Sequence, residues 1–210
     1  MAEVHNARGH CIAYCLQLYN TEYPVNKIIL ASQSPRRKQL MEMAELQFEV
    51  IIADVDETPP VGMPGKELPV YLAKKKADAI AHKAVGAIVI AADTVVLLDD
   101  DILNKPTDAA NAVDMLSRLS GRMHTVVTGV CIRKDDKEQS FSITTEVYFR
   151  KLSTAQIEHY VSNYKPFDKA GAYAIQEWIG VTGIEQINGD YYNVMGLPIG
   201  SVLEVLEREF

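Results

Sequence analysis

The sequence predicts an α/β unit whose mixed central sheet is flanked by helices and bent into two lobes, and three observations predict it. Strand-like apolar runs alternate with stretches of helical spacing through the first half, from Lys27 to Leu119. The second half is richer in strands, with the long runs Val126 to Arg133 and Ser140 to Arg150 facing each other across Asp135-Asp136-Lys137. No internal repeat or low-complexity tract divides the 210 residues, enough chain to bury most of its apolar surface in a real core.

Lys27 to Ala31 is an apolar run of strand length. Ser34 suits a helix N-cap and Pro35 the first helical position, so a helix is expected over residues 35–45. Phe48 to Ala53 reads as a second strand that runs into the acidic cluster Asp54, Asp56 and Glu57, and Pro59, Pro60, Gly62, Pro64 and Gly65 make a loop. Residues 67–84 carry Leu68, Tyr71, Leu72, Ala79 and Ile80 at helical spacing, which puts Lys74, Lys75 and Lys76 most simply on the wet side. Ala87 to Ala92 has the character of a buried strand; Asp93 interrupts it, and Thr94 to Leu98 resumes it before a turn at Asp99 to Asp101. Lys105-Pro106 leads into a helix from about Asp108 to Leu119, with Thr107 as its cap and Gly121 past its end.

Beyond the hairpin, Ser153-Thr154-Ala155-Gln156 has capping-box spacing and opens a helix to about Asn163. Phe167 to Glu177 mixes glycine with apolar residues, as a buried glycine-containing strand would. Asn188-Gly189 signals a tight turn before Tyr191 to Val194, and a helix opening at Pro198 closes the chain.

Composition narrows the function. With 48% hydrophobic and 23% charged residues the chain is an ordinary soluble globular protein, and no apolar run approaches the ~18 residues a membrane span needs. A formal charge of -7 argues against a non-specific nucleic-acid binder. Cys11, Cys15 and Cys131 form an odd set without a CxxC pair, which fits a reduced, cytoplasmic setting. The segment before Lys27 has only the short apolar stretch Cys11 to Tyr19, broken by Gln17, so residues 1–26 are expected to be an N-terminal extension outside the 27–210 domain and not a signal peptide.

Three places carry chemistry. Arg36 and Arg37 fall in the first turn of a helix, where its positive end makes a cation unfavourable by ~0.3–1 kcal/mol each. A bound anion reverses that sign, and backbone N–H groups, two guanidinium forks and the Ser34 hydroxyl would then form a phosphate site. The alternative is an ordinary helix start with two solvated arginines. Asp93, set between apolar runs, needs a cation, a metal or hydrogen-bond donors to offset its desolvation. It reads either as a turn aspartate or as a general base or metal ligand at the carboxyl end of a strand. Glu57, in the acidic cluster, could share a hard divalent cation with Asp93, or be solvated surface like most such clusters. Lys76 and Lys105 are open in the same way. Gln176 ends Asp168 to Gln176, a run of small residues that would let backbone approach a ligand, and its amide can both donate to and accept from a keto-pyrimidine edge.

Ile29-Leu30-Ala31-Ser32-Gln33-Ser34-Pro35-Arg36-Arg37, Ala92-Asp93-Thr94, Asn104-Lys105-Pro106, Leu119-Ser120-Gly121 and Asp168 to Gln176, taken in order, closely resemble the Maf family of nucleoside triphosphate pyrophosphatases. The resemblance implies a fold akin to the inosine-triphosphate pyrophosphatases, with a cleft between two lobes, a divalent metal such as Mg²⁺ or Mn²⁺, and hydrolysis of a nucleoside triphosphate to the monophosphate and pyrophosphate. It puts the proton acceptor at Asp93, specificity at Arg36, Thr94 and Gln176, and further polar site positions at Arg37, Glu57, Lys76 and Lys105. The Ile-Gln ending at Gln176 looks like the branch acting on dTTP and UTP. Ala174 and Glu177 stand where that branch frequently has glycines, and Trp178 follows, which bears on pocket width and base preference. A nucleotide substrate is the one expected partner, with neither nucleic acid nor membrane; a homodimer is compatible with all of this. Two other readings are a purine-specific pyrophosphatase of the inosine-triphosphate type and a non-catalytic nucleotide-binding regulator of cell division.

Overall fold

A computed structural model describes residues 26–210. The expected N-terminal extension, all but Asn26, therefore lies outside the described residues. The chain forms a seven-stranded mixed sheet in the order β2-β1-β3-β5-β6-β7, with β4 paired to the far end of β3. The short strands β1 (Ile28–Leu30) and β2 (Phe48–Val50) are parallel to each other, and β1 is parallel to the start of β3 (Ile88–Leu98). From there on every pairing is antiparallel, through β4 (Asp101–Leu103), β5 (Met123–Lys134), β6 (Lys137–Phe149) and β7 (Ile184–Asn188).

The helices are α1 (Pro35–Met43), α2 (Leu68–Ile80), α3 (Ala109–Leu119), α4 (Thr154–Tyr164), α5 (Trp178–Gly183), α6 (Tyr191–Met195) and α7 (Ile199–Glu209). Several starts follow from local chemistry. Ser34 caps α1 by accepting from the Arg37 N–H, and Ser153 and Gln156 close a full capping box on α4. The cap of α3 is Asp108 and not Thr107, because the Asp108 carboxylate reaches the Asn111 N–H at 2.8 Å. The long strand expected over Phe48 to Ala53 stops at Val50, at the sheet edge, and Phe167 to Glu177 is not a strand but a 3₁₀ turn (Ala170–Ala172) followed by a tight turn.

Alternation along β3 sorts the core, since successive side chains point to opposite faces. Ile88, Ile90, Ala92, Val96 and Leu98 join the larger cluster with Leu40, Leu116, Tyr160 and Val202 of α1, α3, α4 and α7. Val89 and Ala91 pack on Ala73, Ala77 and Ile80 of α2, and Val95 and Leu97 on Leu68 and Leu72. Helix α2 thus covers one face, and the other six helices contribute to the cluster on the other. Asp93 is not at a strand end: it is inside one continuous eleven-residue strand, on the α2 face, paired across the sheet with Gly129 of β5. The ladder bonds of β5 carry the strand through the polar residue. Because β1 ends at Leu30, Asp93 nevertheless emerges beyond the carboxyl end of the parallel part of the sheet, where α/β proteins open a crevice.

Gly129 explains how closely α2 approaches that crevice. A Cβ there would lie 2.2 Å from the backbone nitrogen of Val70 and 2.3 Å from the carbonyl carbon of Pro69. Only a residue without a side chain lets the first turn of α2 rest on β5, two turns before Lys76. Gly129→Ala is expected to push α2 outward and lower stability by ~1–3 kcal/mol, the range for overpacking, as measured by urea denaturation.

Candidate active site

A cleft of about 280 Å³ opens where β1 ends and β3 continues. Its lining includes Ser34, Arg36, Arg37, Glu57, Lys76, Asp93, Thr94, Lys105 and Gln176, so all nine site residues expected from the sequence face one space.

The pleat of β3 divides their work. Asp93 points to the α2 face, where its Oδ1 accepts from Lys76 Nζ at 2.6 Å. The same ammonium lies 2.7 Å from Glu57 Oε1, so one lysine joins two carboxylates that are 36 positions apart in the chain. Lys76 is not on the wet side of its helix: Lys74 is exposed, Lys75 half-buried and Lys76 buried, because the helical period turns it onto the sheet with Ala73, Ala77 and Ile80. Burial works against ionisation of the Glu57 carboxyl, but the Lys76 hydrogen bond and charge, with Lys105 and Arg37, hold it below the ordinary glutamate value.

Thr94, the next residue, points to the opposite face and meets Arg37. The buried Arg37 guanidinium donates from Nε to the Gly196 carbonyl at 2.7 Å, from Nη1 to Ser32 Oγ at 3.1 Å and from Nη2 to Thr94 Oγ1 at 3.0 Å. Burial lowers its affinity for its proton, the Asp93 charge works the other way, and Arg36 adds to the lowering. Three of its five N–H donors are thereby taken. Thr94 Oγ1 continues to Thr128 Oγ1 at 2.9 Å, which reaches the Asn193 carbonyl at 3.0 Å.

Arg36 points along the cleft to Asp168 Oδ2 at 3.0 Å. Asp168 Oδ1 accepts from Lys169 Nζ at 2.7 Å. Partial burial opposes ionisation of Asp168, and Lys169 and then Arg36 outweigh it, leaving the carboxyl below its usual range. Lys105 lines the cleft, where its charge acts on Glu57, and Gln176 stands exposed at its rim. Tyr173 forms part of the wall; behind it the Tyr173 hydroxyl meets His124 Nε2 at 2.7 Å, and Phe149 packs edge-on to both rings. Burial brings His124 down to about 3, and its Nδ1 has no hydrogen-bond partner.

Asp168, Lys169, Ser32 and Gly196 belong to the site and were not singled out as site residues from the sequence. Adjacent opposite charges at the head of a glycine-containing run are a signal for the first two. Nothing local marks Gly196, which contributes a backbone carbonyl from the loop between α6 and α7. Among the described residues no group of three or more His, Cys, Asp or Glu is placed to hold a metal ion by itself. No described helix is long and apolar enough to cross a membrane.

The Maf family, described as Maf-like protein, matches residues 27–209. A protein of Cytophaga hutchinsonii named dTTP/UTP pyrophosphatase is 50% identical over 193 residues, 92% of this chain and 86% of its own. One of the same name from Parabacteroides distasonis is 45% identical over 184 residues, 87% of this chain and 95% of its own. The solved structure of the Staphylococcus aureus Ham1 protein aligns with a TM-score of 0.41 at 18% identity, covering 59% of this chain and 72% of that one.

Removing the ammonium between Glu57 and Asp93 should expose how much the cleft depends on it. Lys76→Met is expected to lose roughly 3 kcal/mol of stability at neutral pH, since it strands a largely buried carboxylate, and adding Asp93→Asn should restore part of the loss in denaturant titrations.

Proposed function

Because the chain belongs to the Maf family, we propose that it hydrolyses a nucleoside triphosphate, with dTTP and UTP preferred, to the monophosphate and pyrophosphate. The observation that carries the reading is the Asp93 carboxylate held at 2.6 Å by Lys76 in a cleft that Arg36, Arg37 and Lys105 also line. A pure binder of polyphosphate gains little from a carboxylate set among its cations. The names borne by relatives 50% and 45% identical over most of the chain support the same activity.

In this reading Arg36 and Lys105 supply charge to the phosphates, and Arg37 adds its two remaining donors while fixing the wall of the site. Asp93 takes a proton from the attacking water. The water oxygen bonds to phosphorus as the anhydride bond between the α- and β-phosphates breaks, and the second product leaves as pyrophosphate. Such chemistry is mostly positioning and charge neutralisation, which a rigid β3 and a buried Lys76 provide.

A divalent cation such as Mg²⁺ or Mn²⁺ fits the donors present. Glu57 Oε1 and Asp93 Oδ1 already converge on one cationic point, both within 2.7 Å of Lys76 Nζ, and hard cations of this kind take one or two carboxylates and complete their shell with water and substrate phosphates. Glu57 and Asp93 are the residues that would hold it, and when bound it would neutralise developing charge on phosphate oxygens. Gln176, at the cleft rim, is the group for the base, since its amide complements the N3–H and adjacent carbonyls of uracil and thymine. The odd cysteine set, without a CxxC pair, fits a reducing cytoplasm.

A panel of nucleoside triphosphates at fixed Mg²⁺, read by pyrophosphate release, tests the proposal. dTTP and UTP should be the fastest substrates; faster release from ITP or GTP would favour a purine enzyme, and binding without release a regulator. Asp93→Asn should keep the fold and lower kcat by about 10²–10⁴ with a smaller change in KM. Turnover of dTTP by that variant at the parental rate would refute the role of Asp93.

A further inference from the structure

Gln176 sits on a tight turn, Ala174-Ile175-Gln176-Glu177, closed by the Glu177 N–H donating to the Ala174 carbonyl at 3.1 Å. One side chain grips both ends of that turn. The hydroxyl of Tyr160, from the middle of α4, accepts from the Ala174 N–H at 3.1 Å and donates to Glu177 Oε2. The Tyr160 side chain is fully buried, so its hydroxyl has no solvent to exchange for these partners. Burial first, and then the Glu177 carboxylate, pushes the phenol proton's dissociation far above its usual range, which keeps the hydroxyl a donor to Glu177.

Two further contacts make the turn rigid. The other oxygen of Glu177 lies 3.5 Å from Lys169 Nζ, and that ammonium is bonded to Asp168, the partner of Arg36. On the far side, a Cβ at Gly180 would stand 1.7 Å from the Ile175 carbonyl oxygen, so the start of α5 is seated directly on the turn. Ordinary core packing would not need a carboxylate between a buried phenol and a buried lysine.

We infer that Tyr160 and Glu177 are specificity-determining positioning residues, which hold the Gln176 turn at a fixed distance from the Arg36 phosphate contact and so set the preference for a keto-pyrimidine base. The inference rests on the reading of Gln176 given above. Tyr160 touches neither base nor phosphate; it acts through the turn. Loss of the clamp lets Gln176 drift, which weakens recognition of the base and leaves the reacting groups at Asp93 in place.

The test compares kcat and KM of the full chain for dTTP, UTP and GTP in Tyr160→Phe, Glu177→Gln, the double variant and Gln176→Glu, with melting temperatures alongside. For Tyr160→Phe the expected result is a drop of about tenfold to a hundredfold in kcat/KM for dTTP and UTP, carried by KM, with GTP changed less than about threefold. Glu177→Gln should do the same in milder form, and it carries the test if Tyr160→Phe fails to fold. The double variant should be no worse than the worse single one, because both act on one contact. Parallel losses for all three nucleotides, or unchanged selectivity, overturn the inference. If Gln176→Glu alone abolishes the pyrimidine preference, the clamp falls and the role of Gln176 stands; if Gln176→Glu also leaves it intact, that role falls and the clamp with it.

Discussion

A buried guanidinium tolerates no vacant geometry, and Arg37 is the fixed point from which the cleft is built. Its charge cannot be given up, and each of its bonds ties a different segment to the first turn of α1: Ser32 of the loop before the helix, Thr94 of the central strand, and the Gly196 carbonyl of a loop 159 residues further on. The unfavourable placement of a cation at a helix start is offset by these acceptors, before any anion arrives. That separates two arginines that look alike in sequence. Arg37 is architectural on three of its donors, and Arg36, half free beside Asp168, is the more available to a ligand.

The central strand then does two things with consecutive residues. Pleating sends Asp93 toward α2 and Thr94 toward α1, so one strand supplies a carboxylate to the lysine wall and a hydroxyl to the arginine wall. The cross-strand partner of Asp93 is the glycine on which α2 rests, so the position of the carboxylate and the position of its lysine are set by the same pair of strands.

Much of this was legible in the sequence, and the parts that were not share a cause. Helix starts at Ser34 and Ser153 and the Asp135-Asp136 hairpin are decided within a few residues, and local chemistry gives them away. The nine residues expected at the site all line one cleft, although their motifs are scattered along the chain, because the topology brings strand β3, the start of α1 and the inner side of α2 to one crevice. For Lys76 the sequence left the wet side of the helix open beside a place in the site, because its burial depends on how α2 is seated on the sheet, where Gly129 of a distant strand lets the helix approach closely. Asp93 looked like a break because a charged residue between apolar runs usually ends a strand, whereas here a continuous neighbouring strand carries it through. The stretch from Phe167 to Glu177 looked like a strand because alternating small and apolar residues suit one; its turns are held by Tyr160 and Asn104, distant residues that no local pattern reveals.

Behind the cleft wall, the histidine pressed against Tyr173 and Phe149 makes folding a proton-linked reaction. Held near 3 by burial, His124 stays neutral in the native protein while the unfolded chain takes up a proton below the ordinary value of 6.5. The unfolded state therefore binds more protons between these limits, and native stability falls as the medium is acidified through that window, by at most ~1.4 kcal/mol per pH unit from this group. At pH 5 that amounts to ~2 kcal/mol, a sizeable share of a typical domain's margin. Mild acid thus strains the molecule from inside its larger core, in the layer that backs the cleft.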